Sequence, residues 1–366
     1  MLELFTLKTE AFGLDISDLS LKIAKLKKRK NSLRLVSFGE EKIEPGIIKE
    51  GEIKNEEKLA EIIKVALRKV KGEKLKTKYV VASLPEEKAY LEVIQLPRLS
   101  EEDLKSAVIY EAENYIPLPL EDIYLDYQIV PPLNLDHFDV LIAALPRTTI
   151  DPYLSSLKLA GLQPIVFEIE SLSIIRALIK NGFSPSPILL IDLGATKTSL
   201  TIFAGNSLRF TAFIPISSQL FTKLISQNLK VDFKEAEELK IKYGLEEKTG
   251  GEKKKSKIFE ALIPALVDLT QQIKKYLDYY QTHASHEHLP PENSKKVSKI
   301  LLSGGGANLK GLPELLSLEL KLPVEIANPW LNILTEGKKE TKDLTFEESL
   351  KYTTAIGLAL RGLEEK

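Results

Sequence analysis

The sequence contains no cysteine, which excludes disulfide scaffolds, thiolate metal sites and cysteine nucleophiles. It has only four histidines, and three of them, His283, His286 and His288, crowd one segment. His283 and His286 stand three positions apart, a spacing zinc can use, but with no thiolate and loop-like neighbours a plain loop is the simpler reading. No run approaches the roughly 18 unbroken apolar residues of a membrane span. An excess of one charge is missing as well: Lys plus Arg is 51 against 52 for Asp plus Glu, a formal net charge of −1. That balance argues against a dedicated nucleic-acid binder and leaves room only for a local basic patch. The opening residues carry Glu3 and lack a basic-then-apolar secretion layout, so an intracellular protein is expected. Neither of the familiar single-helix phosphate motifs, GxxxxGK[ST] or a GxGxxG opening a βαβ unit, occurs.

What is present fits a globular protein of several domains. The chain has 366 residues, 43% hydrophobic and 28% charged, enough for two or three cores. Phe12–Asp15, Leu21–Leu26 and Leu33–Phe38 read as strands, with a polar turn over Ser17–Ser20. Leu59, Ile62, Ile63, Ala66, Leu67 and Val70 share one face of a helix expected over Glu56–Lys71. Tyr79–Leu84 is a short apolar strand closed by Pro85. Ser100 stands three positions before Asp103 in a capping-box arrangement, and Pro117 and Pro119 end the helix that follows, because proline lacks the amide donor. Ile123–Val130 and Phe138–Ala144 read as paired strands, and Ser171–Lys180 as a helix. Glu247–Lys257 and Ala284–Lys296 read as exposed loops flanking a long helix that contains Pro264, where a kink is expected.

The opening theme returns halfway along. Ile188–Leu193 is an apolar run, followed by the turn Gly194–Lys197 and the alternating strand Thr198–Phe203. Leu14-Asp15-Ile16-Ser17 and Ile191-Asp192-Leu193-Gly194 share one design: apolar residue, Asp, apolar residue, small residue. The repeat suggests an internal duplication.

Three turns next to apolar strands could carry chemistry: Asp15-Ile16-Ser17 with Lys22, Asp192-Leu193-Gly194-Ala195-Thr196, and Ser303-Gly304-Gly305-Gly306-Ala307-Asn308. Small residues let backbone amides approach phosphate oxygens, and Ser17 or Thr196 adds a hydroxyl donor. Lys22 offers a cation to a polyphosphate. Asp15 and Asp192 can hold Mg²⁺ through waters, since magnesium keeps much of its hydration shell. Each turn alone is also compatible with a plain tight hairpin. Their recurrence at strand ends, in duplicated order, is what points to a nucleotide.

This three-turn layout is similar to the phosphate and adenosine motifs of the actin/Hsp70/sugar-kinase superfamily. More narrowly, the chain resembles the type IV pilus assembly protein PilM family, related to the cell-division protein FtsA. The resemblance rests on GLDISDLSLKIAKL, EAENYIPLPLEDIYLDYQIV, LPRTTIDPYLSSLKLAGLQP, IDLGATKTSLTIF, SGGGANLKGLPELL and AIGLALRGL, and so covers almost the whole sequence. It implies an α/β, actin-like (ribonuclease H-like) fold of two duplicated lobes around a nucleotide cleft. The lobes would be residues 1–186, with a partner-binding subdomain inserted at about 79–144, and 187–366, with an insertion at about 215–260.

The resemblance further implies ATP and Mg²⁺ as ligands, with weak or no hydrolysis. Asp15, Ser17 and Lys22 would face the phosphates and metal from one lobe, and Asp192, Gly194, Ala195 and Thr196 from the other. Gly304, Gly305 and Asn308 would border the adenosine, and Glu237 and Lys240 match positions that contact ribose and base. A surface salt bridge is the competing reading for that last pair. Glu168 and Glu170 lie where a water-orienting group could sit, with Glu170 the catalytic candidate; helix-dipole stabilisation explains them equally simply. The expected partner is the cytoplasmic tail of a PilN-like inner-membrane protein, with Tyr115 and Ile116 in the contact region or else merely closing the local core. Other pilus platform proteins would be further partners. Nucleic acid is not expected as one. The implied location is cytoplasmic, peripheral to the inner membrane through the partner, with no insertion of the chain itself. A small-molecule kinase of the same superfamily and a filament-forming FtsA-like protein are the alternatives.

Overall fold

Five consecutive residues from Phe12 to Ile16 are buried, the pattern of a strand covered on both faces. This strand, β1 (Phe12–Ser17), turns through Asp18 and Leu19 into β2 (Ser20–Arg29), which pairs antiparallel with β3 (Ser32–Lys42). The computed structural model describes residues 10–29, 32–131, 136–245, 253–283, 296–334 and 343–364. They divide into two compact units: Met1–Gly182 with Pro329–Lys342 and Tyr352–Lys366, and Phe183–Asn328 with Asp343–Lys351.

In unit 1, a short hairpin of β4 (Ile48–Lys49) and β5 (Glu52–Ile53) leads to α1 (Glu56–Lys69), capped by the Asn55 side chain. The helix expected to reach Lys71 ends at Lys69. Lys71 and Gly72 instead form β6 (Lys71–Gly72) on the edge of β3, where a Cβ on Gly72 would fall 2.2 Å from the Val36 carbonyl oxygen. β7 (Tyr79–Leu84) runs parallel to β1, and β11 (Gln163–Ile169) runs parallel to β7, giving the sheet order β11-β7-β1-β2-β3-β6.

Between β7 and β11 lies a second layer. β8 (Tyr90–Pro97), β9 (Ile123–Val130) and β10 (His137–Pro146) form an antiparallel sheet of order β8-β10-β9. α2 (Glu101–Tyr115) supplies Leu104, Val108 and Ala112 to its separate core, and the Ser100 side chain accepts the Asp103 amide as expected. α3 (Arg147–Leu159) then packs on α1, and α4 (Glu170–Leu178) follows β11.

Unit 2 repeats the scheme. β12 (Ser184–Leu193), β13 (Thr198–Gly205) and β14 (Ser207–Ile214) are antiparallel, and β15 (Lys299–Ser303) and β16 (Val324–Ile326) add in parallel, giving β14-β13-β12-β15-β16. Apart from the added β6, the two sheets have one strand order and one pattern of directions. The helices are α5 (Ser218–Leu229), α6 (Phe233–Tyr243), α7 (Lys253–His283), α8 (Leu312–Leu320) and α9 (Phe346–Ser349). α7 runs through Pro264 as a single element and already begins at Lys253, so the end of the expected loop Glu247–Lys257 is helical; residues 247–252 lie outside the described residues. So do 284–295, with His286 and His288.

The last helix, α10 (Thr353–Glu364), belongs to unit 1, and every residue from Thr353 to Leu360 is buried. It packs on β1 and α4 at a distance that only glycine permits. A Cβ on Gly357 would stand 1.9 Å from the Ser173 carbonyl oxygen.

Candidate functional site

In unit 1 the expected residues gather at the carboxyl ends of β1 and β7. Asp15 is buried, with its Oδ2 3.9 Å from Lys22 Nζ. Ser83, the penultimate residue of β7, donates to Asp15 Oδ1 at 3.3 Å and accepts the Ile16 amide at 2.8 Å. Ser17 Oγ donates to the Ser20 carbonyl at 2.9 Å, while Lys22 Nζ donates to Ser20 Oγ at 2.8 Å. The hairpin turn is anchored from outside by Asp18, whose carboxylate accepts the Glu50 and Gly51 amides at 3.1 and 3.0 Å.

Buried Tyr153 donates to the Gly51 carbonyl at 3.0 Å. Burial pushes its hydroxyl pKa up, reinforced by the negative charges of Glu170, Glu87, Asp18 and Asp15. Those four carboxylates therefore share one neighbourhood, and Glu170 is half-buried at the first position of α4. Glu168 is committed elsewhere: it accepts from Arg176 Nη2 at 2.6 Å and Ser173 Oγ at 2.8 Å, and Arg176 reaches on to Glu364. It serves the α4–α10 packing.

In unit 2 the corresponding turn is built from backbone. Asp192, the penultimate residue of β12, lies opposite Ser199 on one side and Ser303 on the other. The Gly194 amide donates to the Lys197 carbonyl at 3.0 Å, closing the turn. The first amides of α5 hold it in place: Ser218 N donates to the Gly194 carbonyl at 3.0 Å and Gln219 N to the Ala195 carbonyl at 3.2 Å. Ala195 and Thr196 stay exposed. Gly304 follows β15 with φ +82°, a left-handed value that favours glycine. A Cβ there would lie 2.6 Å from the Leu193 carbonyl oxygen and 2.9 Å from Asp192 Oδ1. Gly305 is not so confined, its hypothetical Cβ meeting only Lys351 Cβ at 3.7 Å. Asn308 is turned to a structural task, donating to the Glu347 carbonyl at 2.9 Å.

Glu237 and Lys240 do form the i,i+3 salt bridge, at 2.8 Å. The structure also ties them to α5. Lys240 is buried and donates to the Ser218 carbonyl at 2.9 Å and to Ser218 Oγ and Thr222 Oγ1 at 2.8 Å. Thr222 in turn donates to Glu237. Burial lowers the Lys240 pKa, and Glu237 partly offsets that shift. Tyr115 is exposed at the end of α2, whereas Ile116 is sealed in the small-sheet core.

Sequence reasoning missed Ser83, Ser218 and Thr222. For Ser83 the available signal was a lone small hydroxyl next to the end of the otherwise apolar strand YVVASL. Among the described residues no three His, Asp or Glu side chains are arranged to hold a metal.

The family model described as type IV pilus assembly protein PilM matches residues 13–363. The chain belongs to the type IV pilus assembly protein PilM family. A solved PilM-PilN type IV pilus biogenesis complex is 28% identical to it, with a TM-score of 0.77, covering 97% of this chain and 99% of that one. Ethanolamine utilization protein EutJ from Carboxydothermus hydrogenoformans, at 14% identity and a TM-score of 0.54 over 96% of this chain and 89% of that one, shares the fold. So does MreB5 of Spiroplasma citri bound to AMPPNP, also at 14% and 0.54, over 95% and 94%. The fold of this PilM-family chain is therefore actin-like.

Among curated relatives, the cell division protein FtsA of Helicobacter pylori is 29% identical over 161 residues, which is 39% of this chain and 31% of that protein. FtsA of Pseudomonas aeruginosa is 24% identical over 197 residues, 49% and 43%. The chain thus spans well under two thirds of the length of the curated relatives it matches.

Proposed function

We propose that this chain is an ATP-binding assembly protein of a type IV pilus or related inner-membrane platform. It binds the cytoplasmic N-terminal tail of a PilN-like membrane protein, and nucleotide state modulates that contact. The observation that carries the reading is the likeness, over 97% of the chain, to a structure solved as a complex of PilM with PilN. The partner tail is the proposed tether to the inner membrane; among the described residues no helix is long and apolar enough to cross a membrane. The inserted region at about 79–144, with exposed Tyr115, is the proposed partner-binding part.

The nucleotide reading draws on chemistry within each unit. In unit 2, buried Gly304 packs its main chain against Leu193 and Asp192, Gly305 after it is exposed, and the exposed Ala195–Thr196 turn offers amides and a hydroxyl to phosphate. In unit 1, Asp15, Ser17 and Lys22 supply a carboxylate, a hydroxyl and a cation. Glu170, at the start of α4, is the residue proposed to orient a water, with turnover weak or absent.

An equilibrium titration with Mg·ATP tests the nucleotide half. The Asp15→Ala/Asp192→Ala variant, titrated at a temperature where it is shown to be folded, should bind about tenfold or more weakly, since each charged contact is worth roughly 1.5–3 kcal/mol. Titrating a PilN-type tail peptide with and without ATP tests the other half. A well-folded protein that binds the peptide but no nucleotide would reduce the reading to a passive scaffold. One that binds neither would overturn it.

A further inference from the structure

The net charge of −1 hides a strong local segregation. Residues 25–34 and 71–78 together hold ten basic side chains and one acid, Glu73. The fold brings the described parts of these segments, residues 25–29, 32–34 and 71–78, together at one end of the unit 1 sheet. Lys27 pairs with Arg34 and Lys28 with Leu33 where β2 meets β3. The Glu73 amide donates to the Val36 carbonyl at 2.8 Å, and Glu73 Oε2 accepts from Lys27 Nζ at 2.6 Å. From there the chain crosses to β7, where the Lys78 carbonyl accepts the Gln163 amide at 2.8 Å.

Glu73 is thereby spent. Its pKa is lowered first by the Lys27 hydrogen bond and then by the charges of Lys27, Lys25 and Arg34. Lys28, Arg34, Lys74, Lys76 and Lys78 are exposed and make no ion pair among the described residues. Lys74, Lys76 and Lys78 are exposed and alternate with the half-buried Leu75 and Thr77, so the three lysines share the outward side of this stretch.

We propose that this end of unit 1 is a membrane-facing surface that rests on anionic phospholipid headgroups without inserting. The residue choice favours a lipid surface over a shaped partner. Lysine ammonium groups on flexible stems are point charges suited to laterally mobile headgroups, whereas a fixed carboxylate or phosphate favours bidentate arginine. Bases are poorly served, because the nearest rings, Phe38 and Tyr79, lie beneath Lys71 and Lys78 at 5.6 Å rather than open for stacking. The surface is also separate from the Asp15 turn. It occupies the amino ends of β1 and β7 while Asp15 and Ser17 occupy the carboxyl ends, about 20 Å along the strand. Lipid contact therefore does not compete with a ligand there, and it does not depend on the partner tail.

The test is flotation of the purified full chain, without partner, on vesicles of phosphatidylcholine alone or mixed with phosphatidylglycerol. Binding is expected only to the mixed vesicles. It should fall at least about tenfold as salt rises from roughly 0.05 M to roughly 0.5 M. Lys74→Glu/Lys76→Glu/Lys78→Glu should abolish it at an unchanged melting temperature, and Lys28→Glu/Arg34→Glu provides the same reading if the first variant does not fold. Equal binding to neutral vesicles, insensitivity to salt, or wild-type flotation of a folded variant would overturn the proposal. So would tighter binding to polyglutamate or single-stranded DNA than to the mixed vesicles, which would reassign the patch to an acidic protein or a nucleic acid.

Discussion

The two sheets share strand order and direction, yet their Asp-bearing turns are held by different means. In unit 1 the turn is held by side chains: Asp15, Ser83, Lys22 and Ser20 bond one another, and Asp18 pins the hairpin from outside. In unit 2 it is held by main chain: two α5 amides clasp the Gly194 and Ala195 carbonyls, and a positive-φ glycine lies against Leu193 and Asp192. The residue opposite each Asp on the antiparallel side shows the same divergence, Lys22 in one case and Ser199 in the other. Duplication thus conserved the backbone pairing while leaving the polar chemistry free to specialise. Unit 1 sets Lys22 opposite its Asp, and unit 2 leaves Ala195 and Thr196 of its turn exposed.

The largest expected effect tests how unit 1 is closed. Gly357→Ala would force α10 away from α4 and should cost about 3 kcal/mol or more, read as a loss of soluble protein or a lower urea midpoint. A near-neutral result would mean that the close approach of α10 is not needed to close the unit.

Next comes the backbone cradle of unit 2. Gly304→Ala should cost about 1–3 kcal/mol from strain and contact, whereas neighbouring Gly305→Ala should stay within about 0.5 kcal/mol. Thermal melts of the two variants side by side give the contrast, and equal effects would remove the argument from φ.

Ser83→Ala and Ser303→Ala sharpen the comparison directly, since both serines are fully buried beside the paired aspartates. Each should lose about 1–2 kcal/mol in chemical denaturation, because a polar group is left without its partner. A marked inequality would show that the Asp–Ser pairing survives in position but not in function.

The smallest effect concerns Lys240. Its folded pKa lies below the ordinary 10.5, chiefly through burial, so between those two values the unfolded chain binds more protons. Stability from this group therefore rises with pH across that window. Lys240→Met should flatten the rise, which melting temperatures measured over alkaline pH would show.

Much of the architecture is legible in the residues themselves. The runs Phe12–Ile16 and Leu189–Leu193, each with an Asp before its last apolar residue and a small residue after it, announce buried strands that end in turns. Pro117 and Gly304 mark where backbone must change course. Less legible are contacts between residues far apart in sequence. Glu168 and Glu170 look equivalent as a string, but only the fold turns Glu168 towards Arg176 and the last helix. Likewise, Glu237 and Lys240 read as a surface pair until α5 brings Ser218 and Thr222 over the ammonium and buries it.

By itself the sequence determined the strand and helix periods, the duplicated Asp turns, the absence of thiol chemistry and the family. All of these depend on local residue order and composition. The tertiary structure alone decided which hydroxyl faces each aspartate, which carboxylate is spent on packing, and that two lysine-rich segments meet at one end of a sheet. Burial and Coulomb interactions act on distance in space, and chain order does not encode that distance until the strands have paired.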